Sequence, residues 1–360
     1  MKLKITKRAV LIGINILCIS AVTALSCIGN KLALSQDYNY GAQRWNSEDG
    51  HSQVSCFFPD SPGFELSSVA EIRKNLLNNL RTVSIAPEEG KRLCPDAYSA
   101  ELGKADVSSD INGYAPAEVT AVGGDFFLMR NFTLLDGAYF TDSDVMQDGA
   151  VIDRSLAWSL YGSEDIAGMN IKIGGLQFRI SAVIDTPHTK EEKKCRGDFP
   201  QLYVTYEGAS AISNMMGQGD FTKVSCYEAI MPEPVTSYAY NTISGITSQW
   251  QADTVENKGR FEWGRTLGKI KTLHERELKT KAVKYPWWEN ASLMVESKLS
   301  FIYLLRIIFM IPPAVTLVWL AVKGARLAKK YIIKGVKLVL NLIEKRKMKK
   351  WRAKNEQKEI

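Results

Sequence analysis

Apolar and polar positions divide the chain into three regimes. Residues 9–30 carry no charge, and residues 299–322 carry a single one, Arg306. At a helical rise of about 1.5 Å per residue, either run is long enough to cross a hydrocarbon core of about 30 Å. Two membrane spans are therefore predicted, at 9–29 and 299–322. Between them the apolar period switches repeatedly between two and 3.6, the mark of a folded domain of strands and helices over residues 30–298.

Within that domain Ser52–Phe58 alternates and stops at Pro59 and Pro62-Gly63, a strand and then a turn. Val69, Ile72, Leu76, Leu77 and Leu80 recur at helical spacing, with Ser67 or Ser68 as caps and Glu71 as the capping-box acid. Ala97–Leu102 and Glu118–Val122 read as strands around a polar turn at Asn112-Gly113. Further on, Leu134–Gly137 reads as a turn before an extended Ala138–Phe140, and Ala150–Ile152 as a buried strand. Arg154–Tyr161 puts Leu156, Ala157 and Leu160 on one helical face. Two alternating runs flank Gly174-Gly175, a hairpin signal. Lys223–Met231 reads as a strand and Thr236–Gln251 as a helix. Residues 273–298 read as a helix-rich stem into the second span. The predicted class is α+β.

Charge changes the picture. The net +7 separates into four basic residues and no acid over 1–8, a net −9 between Lys31 and Lys298, and a net +11 over 323–360. Lys and Arg concentrate on the cytoplasmic side of spans, so both termini are expected in the cytoplasm and residues 30–298 outside the plasma membrane. Trp287, Trp288 and Tyr285 then fall where an interfacial aromatic belt would. The basic blocks are explained by membrane lipid, and no nucleic-acid partner is expected. A cleaved signal peptide is the alternative for the first segment, with Ala24-Leu25-Ser26 as its processing site, but the run from Ala9 to Leu25 is longer than a usual signal core.

Outside the spans lie Cys56, Cys94, Cys195 and Cys226, an even number in a compartment that permits disulfides, though free buried thiols are the alternative. His51, His188 and His274 are scattered, and no metal site is expected.

The stretch from Val119 to Pro187 is the most specific. Phe126-Phe127 is followed by Leu134-Leu135-Asp136-Gly137-Ala138-Tyr139-Phe140-Thr141 with Asp144, then by Val151-Ile152 with Ala157 and Leu160-Tyr161. Gly168, Ile171, Ile173, Gly175, Phe178, Ile180 and Val183-Ile184 complete the run. That order resembles the MacB-like periplasmic core domain of MacB/FtsX-type ABC transporter permeases. The resemblance implies a two-lobed α+β extracytoplasmic domain, a β-α-β type lobe with a mixed lobe inserted at about 119–210. It also makes neighbours of the strands bearing Cys56 and Cys226, so that these two are the expected disulfide among the three pairings.

Enzyme signatures are sparse. There is no G-x-S-x-G elbow, no H-E-x-x-H and no Walker A loop, so no enzyme and no cofactor is expected, and ATP hydrolysis would fall to another polypeptide. Glu191-Glu192-Lys193-Lys194 reads as a charged, solvated loop. Asp142, Asp144 and Asp148 lack the glycine and terminal glutamate of a calcium loop. Arg306 is a costly intramembrane charge, and Pro312-Pro313 should kink the second span. Beyond it, Lys330, Lys334 and Lys337 lie opposite an apolar stripe, forming a basic amphipathic helix suited to an anionic leaflet. In the permeases it resembles, a helix here docks on the ATPase and two further spans follow. The expectation is a noncatalytic permease-type subunit, or a shortened relative, working with a separate ABC ATPase and a second permease subunit. The alternative is an anchored binding or sensory ectodomain that uses no ATP.

Overall fold

The computed structural model describes residues 7–46, 50–86, 92–111, 113–186, 189–268 and 283–356. It divides into two compact units, Gly29–Phe301 and the pair Met1–Ile28 with Ile302–Ile360. His188, His274, Asn112 and the stem before residue 283 lie outside the described residues.

The helices in chain order are α1 (Lys7–Leu34), α2 (Gly41–Trp45), α3 (Leu66–Thr82), α4 (Phe126–Arg130), α5 (Arg154–Tyr161), α6 (Lys190–Arg196), α7 (Tyr206–Met215), α8 (Tyr238–Thr247), α9 (Trp263–Gly268) and α10 (Trp287–Glu356). The strands are β1 (His51–Phe57), β2 (Asp96–Ser109), β3 (Tyr114–Gly124), β4 (Leu134–Gly137), β5 (Gly149–Asp153), β6 (Asn170–Ile173), β7 (Leu176–Ile184), β8 (Gln201–Val204), β9 (Cys226–Pro232) and β10 (Asp253–Glu256). Among the described residues two helices are long and apolar enough to cross a membrane, Arg8–Leu34 and the stretch Trp287–Met348.

In the unit Gly29–Phe301, four strands run in the order β10-β1-β9-β2. All seven residues of β9 are buried, so both faces of this sheet are covered. Strand alternation sorts its side chains between two cores. Val54, Cys56, Tyr227, Ala229 and Met231 share one with Val69, Ile72, Leu76 and Leu80 of α3. Phe57, Cys226 and Ile230 share the other with Tyr38, Trp287 and Trp288. Burying those four apolar side chains of α3, at about 1.5–3 kcal/mol each, is what holds a 17-residue helix that has no side-chain N-cap. The N-cap is Glu65, so Ser67 and Ser68 lie inside the first turn and do not cap.

Strand β2 also closes a ring with five others: β2 pairs β3, β3 pairs β8, β8 pairs β5, β5 pairs β7, β7 pairs β6, and β6 returns to β2, while β4 pairs β7 outside the ring. Closure leaves no free edge among those six. Strand β2 belongs to both assemblies, since Asp96–Ser99 pair with β9 and Val107–Ser109 with β6. Between the two pairings its register shifts at Glu101/Gly103, where Gly103 has φ +118°, a region that only glycine enters without strain. Ring helix α5 is cut by local chemistry: Asp153 accepts the Leu156 N–H at 2.8 Å, and Gly162 ends the helix left-handed.

Two segments differ from expectation. Leu134–Gly137 is β4, hydrogen-bonded to β7, rather than a turn, and Ala138–Phe140 forms no strand. Glu191–Lys194 is not a solvated loop but part of α6, capped by a reciprocal Thr189–Glu192 box, with both glutamates buried. Charged residues hide this helix because its buried positions are glutamates rather than apolar residues, Glu191 being paired with Lys298.

The Gly103→Ala change should cost about 1–3 kcal/mol through backbone strain. Thermal unfolding of the full chain in detergent checks this, with Gly245→Ala, at an open position in α8, neutral or stabilising as the control.

Candidate functional site

The first turns of α10 carry Glu289, Ser292, Glu296 and Ser300 at spacings of three and four, one stripe of a helix. All four are buried. Ser292 accepts from Asn39 and Ser300 donates to the Glu296 carbonyl, while the two glutamates meet Arg260, from the segment after β10, whose side chain is fully buried. Its guanidinium donates to both Glu289 oxygens at 2.7 and 2.6 Å and, through Nε, to Glu296 Oε1 at 2.5 Å. Nη1 also donates to Asn39 Oδ1 at 3.1 Å, and Asn39 donates to Ser292 Oγ at 2.8 Å. Burial pulls the Arg260 guanidinium down, but the Glu289 and Glu296 charges outweigh it and hold it above its ordinary value.

A second buried pair lies on the sheet face toward the same helix. Arg130, the last residue of α4, pairs with Glu228 of β9 and stands 4.3 Å from the Trp288 ring centroid. Glu228 also accepts from Ser55 at 2.6 Å. Burial lowers Arg130 to about 10, still charged at neutral pH. The third tie joins Lys298 of α10 to Glu191 of α6. Burial pushes Glu191 up, but the Lys298 ammonium more than offsets this and leaves it below its ordinary 4.5. Four chain segments, after α1, on α4, on α6 and after β10, thus converge on the start of one helix, and β9 is tied in through Arg130.

This arrangement holds charge rather than moving it. No group of three or more His, Cys, Asp or Glu suited to a metal occurs among the described residues. Buried ion pairs add little net stability, yet removing one partner costs about 3–5 kcal/mol because the other charge is stranded. Such pairs fix a helix in one register and angle.

The structure disperses the residues expected from the sequence. Cys56 and Cys226 sit on adjacent strands, but Cys56 lies opposite Tyr227 and Cys226 opposite Phe57, so they face opposite cores. The expected Cys56–Cys226 disulfide is therefore corrected. Cys94 and Cys195 are also free, each half-buried. Burial raises the Cys56, Cys94 and Cys226 thiols to about 12. Trp287 and Trp288 are core residues, not an interfacial belt. In the second unit, Arg306 stands 5.4 Å from the Tyr303 ring, and Pro312 and Pro313 lie within α10. The Thr316 hydroxyl donates to the Pro312 carbonyl at 2.9 Å and accepts from Asn15 of α1 at 3.1 Å. Lys330, Lys334 and Lys337 are exposed along α10. Nothing in the sequence joined Arg130 to Glu228 or Arg260 to Glu289, although the Glu289–Ser300 stripe was visible as polar positions inside an apolar helix.

The family model for the MacB-like periplasmic core domain matches residues 10–260. The chain belongs to that family. The chain is similar to the periplasmic region of MacB from Actinobacillus actinomycetemcomitans, at 13% identity over 64% of this chain and 94% of that one, TM-score 0.38. The extracellular domain of the ABC-type transporter YknZ from Gram-positive bacteria is also similar, at 11% identity over 57% of this chain and 98% of that one, TM-score 0.37. No curated protein matches.

Two outcomes follow from the cluster. Arg260→Met should destabilise the full chain by about 3–5 kcal/mol, and adding Glu289→Met and Glu296→Met should recover much of that loss, as measured by denaturant unfolding in detergent. Because Glu191 is held below 4.5, its tie to Lys298 contributes above that pH and is lost as pH falls through the lowered value. The difference in melting temperature between wild type and Glu191→Gln should shrink accordingly on acidification.

Proposed function

We propose that this chain is a noncatalytic membrane subunit of an ABC transport system, passing ATP-driven motion of a partner ATPase to its MacB-like domain. Residues 9–29 and 299–322 are the spans, both termini are cytoplasmic, and residues 323–350 form the basic helix that meets the ATPase and the anionic inner leaflet. A second permease subunit completes the assembly. The two lobes of the ectodomain, the β10-β1-β9-β2 sheet and the ring inserted through β2, are the parts repositioned.

The observation that carries this proposal is the continuity of α10. One helix of 70 residues bears the Arg260-clamped stripe near its start, the apolar stretch after it and the lysine-rich segment beyond. A hydrogen-bonded helix passes an axial displacement to a domain only if it is held there, and three ion-paired contacts hold the first turns of this one to the ectodomain core.

Affinity purification of the crosslinked full chain from its native membrane should recover an ABC ATPase, with recovery falling several-fold for the triple change of Lys330, Lys334 and Lys337 to Glu. Recovery of no ATPase would sink the proposal.

A further inference from the structure

Two short helices meet α10 just before residue 299, where the second span is predicted to begin. Helix α6 is joined to Lys298 through Glu191. On another side of α10, the segment after β10 follows it toward the same point: Arg260 meets Glu289 and Glu296, and six residues on, the Thr266 carbonyl accepts from Ser300 Oγ at 3.4 Å. Trp263, the first residue of α9, lies between those two contacts in the chain. It is thereby held near the level of residues 296–300, a helical rise of about 6 Å. The other end of the ectodomain chain arrives nearby, since Asn39 donates to Ser292, with Lys31 eight residues before the one and Lys298 six residues after the other.

Both helices expose side chains of one kind. Helix α6 buries its two glutamates and exposes Lys190, Lys193 and Lys194. At about 100° per residue these three fall within an arc of roughly 100°, bordered by Glu191. The ion pairs of α6 among the described residues are Glu191 with Lys298 and Arg196 with Asp153, so the three lysines have no carboxylate partner there. Lys31 is exposed as well. This basic face stands out in a domain whose acids outnumber its bases. On α9, Trp263 is 64% exposed, whereas Trp287 and Trp288 are buried.

Lysines with long apolar stems and an indole with one N–H are the side chains that suit the border between phosphate headgroups and acyl chains. Trp287 and Trp288 do not serve there, but Trp263 stands at the right height. We propose that α6 and Trp263 form a docking face for the extracytoplasmic leaflet, in which Lys190, Lys193 and Lys194 bind the phosphates of anionic phospholipid and Trp263 seats its ring at the headgroup border. The face would hold the ectodomain on the leaflet beside the entry of α10. It rests on residues 299–322 being a span and is independent of any ATPase.

The test compares the full chain in nanodiscs of phosphatidylcholine and of phosphatidylglycerol. Backbone hydrogen exchange across residues 190–196 should slow several-fold in phosphatidylglycerol. That difference should vanish in the triple variant Lys190→Gln, Lys193→Gln, Lys194→Gln, which should melt with wild type because all three positions are exposed. Inorganic phosphate added to phosphatidylcholine nanodiscs should leave the exchange unchanged. The fluorescence of wild type minus that of Trp263→Phe isolates Trp263, and lipid brominated near its headgroup end should quench this signal more than acrylamide does. Equal exchange in the two lipids, slowing that persists in the triple variant, slowing by phosphate alone, or a Trp263 signal that brominated lipid leaves untouched would each overturn the face while the spans stand. Release of the wild-type chain from membranes by alkaline carbonate would instead remove the spans, and this face with them.

Discussion

A guanidinium stripped of water must find carboxylates at its new position, and the rest of the ectodomain is arranged around meeting that demand twice. Arg260 and Arg130 are 1% and 2% exposed. Their partners come from α10 and from β9, so the helix and the central strand are placed by charge as well as by apolar contact. Hydrophobic burial is tolerant of small rotations, whereas a bidentate pair with a third bond from Nε is not. The aromatic side chains of the second core, Tyr38, Trp287 and Trp288, fill the space that these bonds define.

The second constraint is the double membership of β2. A strand hydrogen-bonded to an open sheet at one end and to a closed ring at the other must bend between them, and Gly103 is where the chain does so. Sheet and ring are therefore one covalent and hydrogen-bonded body. The bulge is where the shared strand passes from one pairing to the other, and α6 adds a tie to α10 through Glu191 and Lys298.

Short runs between turn residues located β1, β5 and β9, which are buried on both faces, and period located α3, α5 and the Gly174-Gly175 hairpin, because each of these buries one face and leaves the other polar. It failed where that condition fails. Helix α6 looks like a loop because its buried residues are glutamates, and β4 looks like a turn because it is a four-residue strand on the path's end. Trp287 and Trp288 resemble an interfacial belt since a buried aromatic pair and a membrane-edge pair have the same composition. The ion cluster was illegible for a different reason: Arg130 and Glu228 are 98 positions apart, and only the pairing of strands and helices brings them together. Likewise Cys56 and Cys226 are on neighbouring strands, as the family resemblance implied, but one residue of register decides which face each thiol occupies.

The strand order also has a consequence for how the chain is made. Strand β1 ends at Phe57, yet both of its partners, β9 and β10, begin only at Cys226 and Asp253. During synthesis β1 therefore emerges with two unpaired edges and waits for well over a hundred residues, including the whole self-closing ring. Pairings this distant in sequence are slow to form and leave strand edges open to wrong partners. Ser52, Gln53 and Ser55, polar residues within the strand, lower its tendency to pair with another chain in that interval.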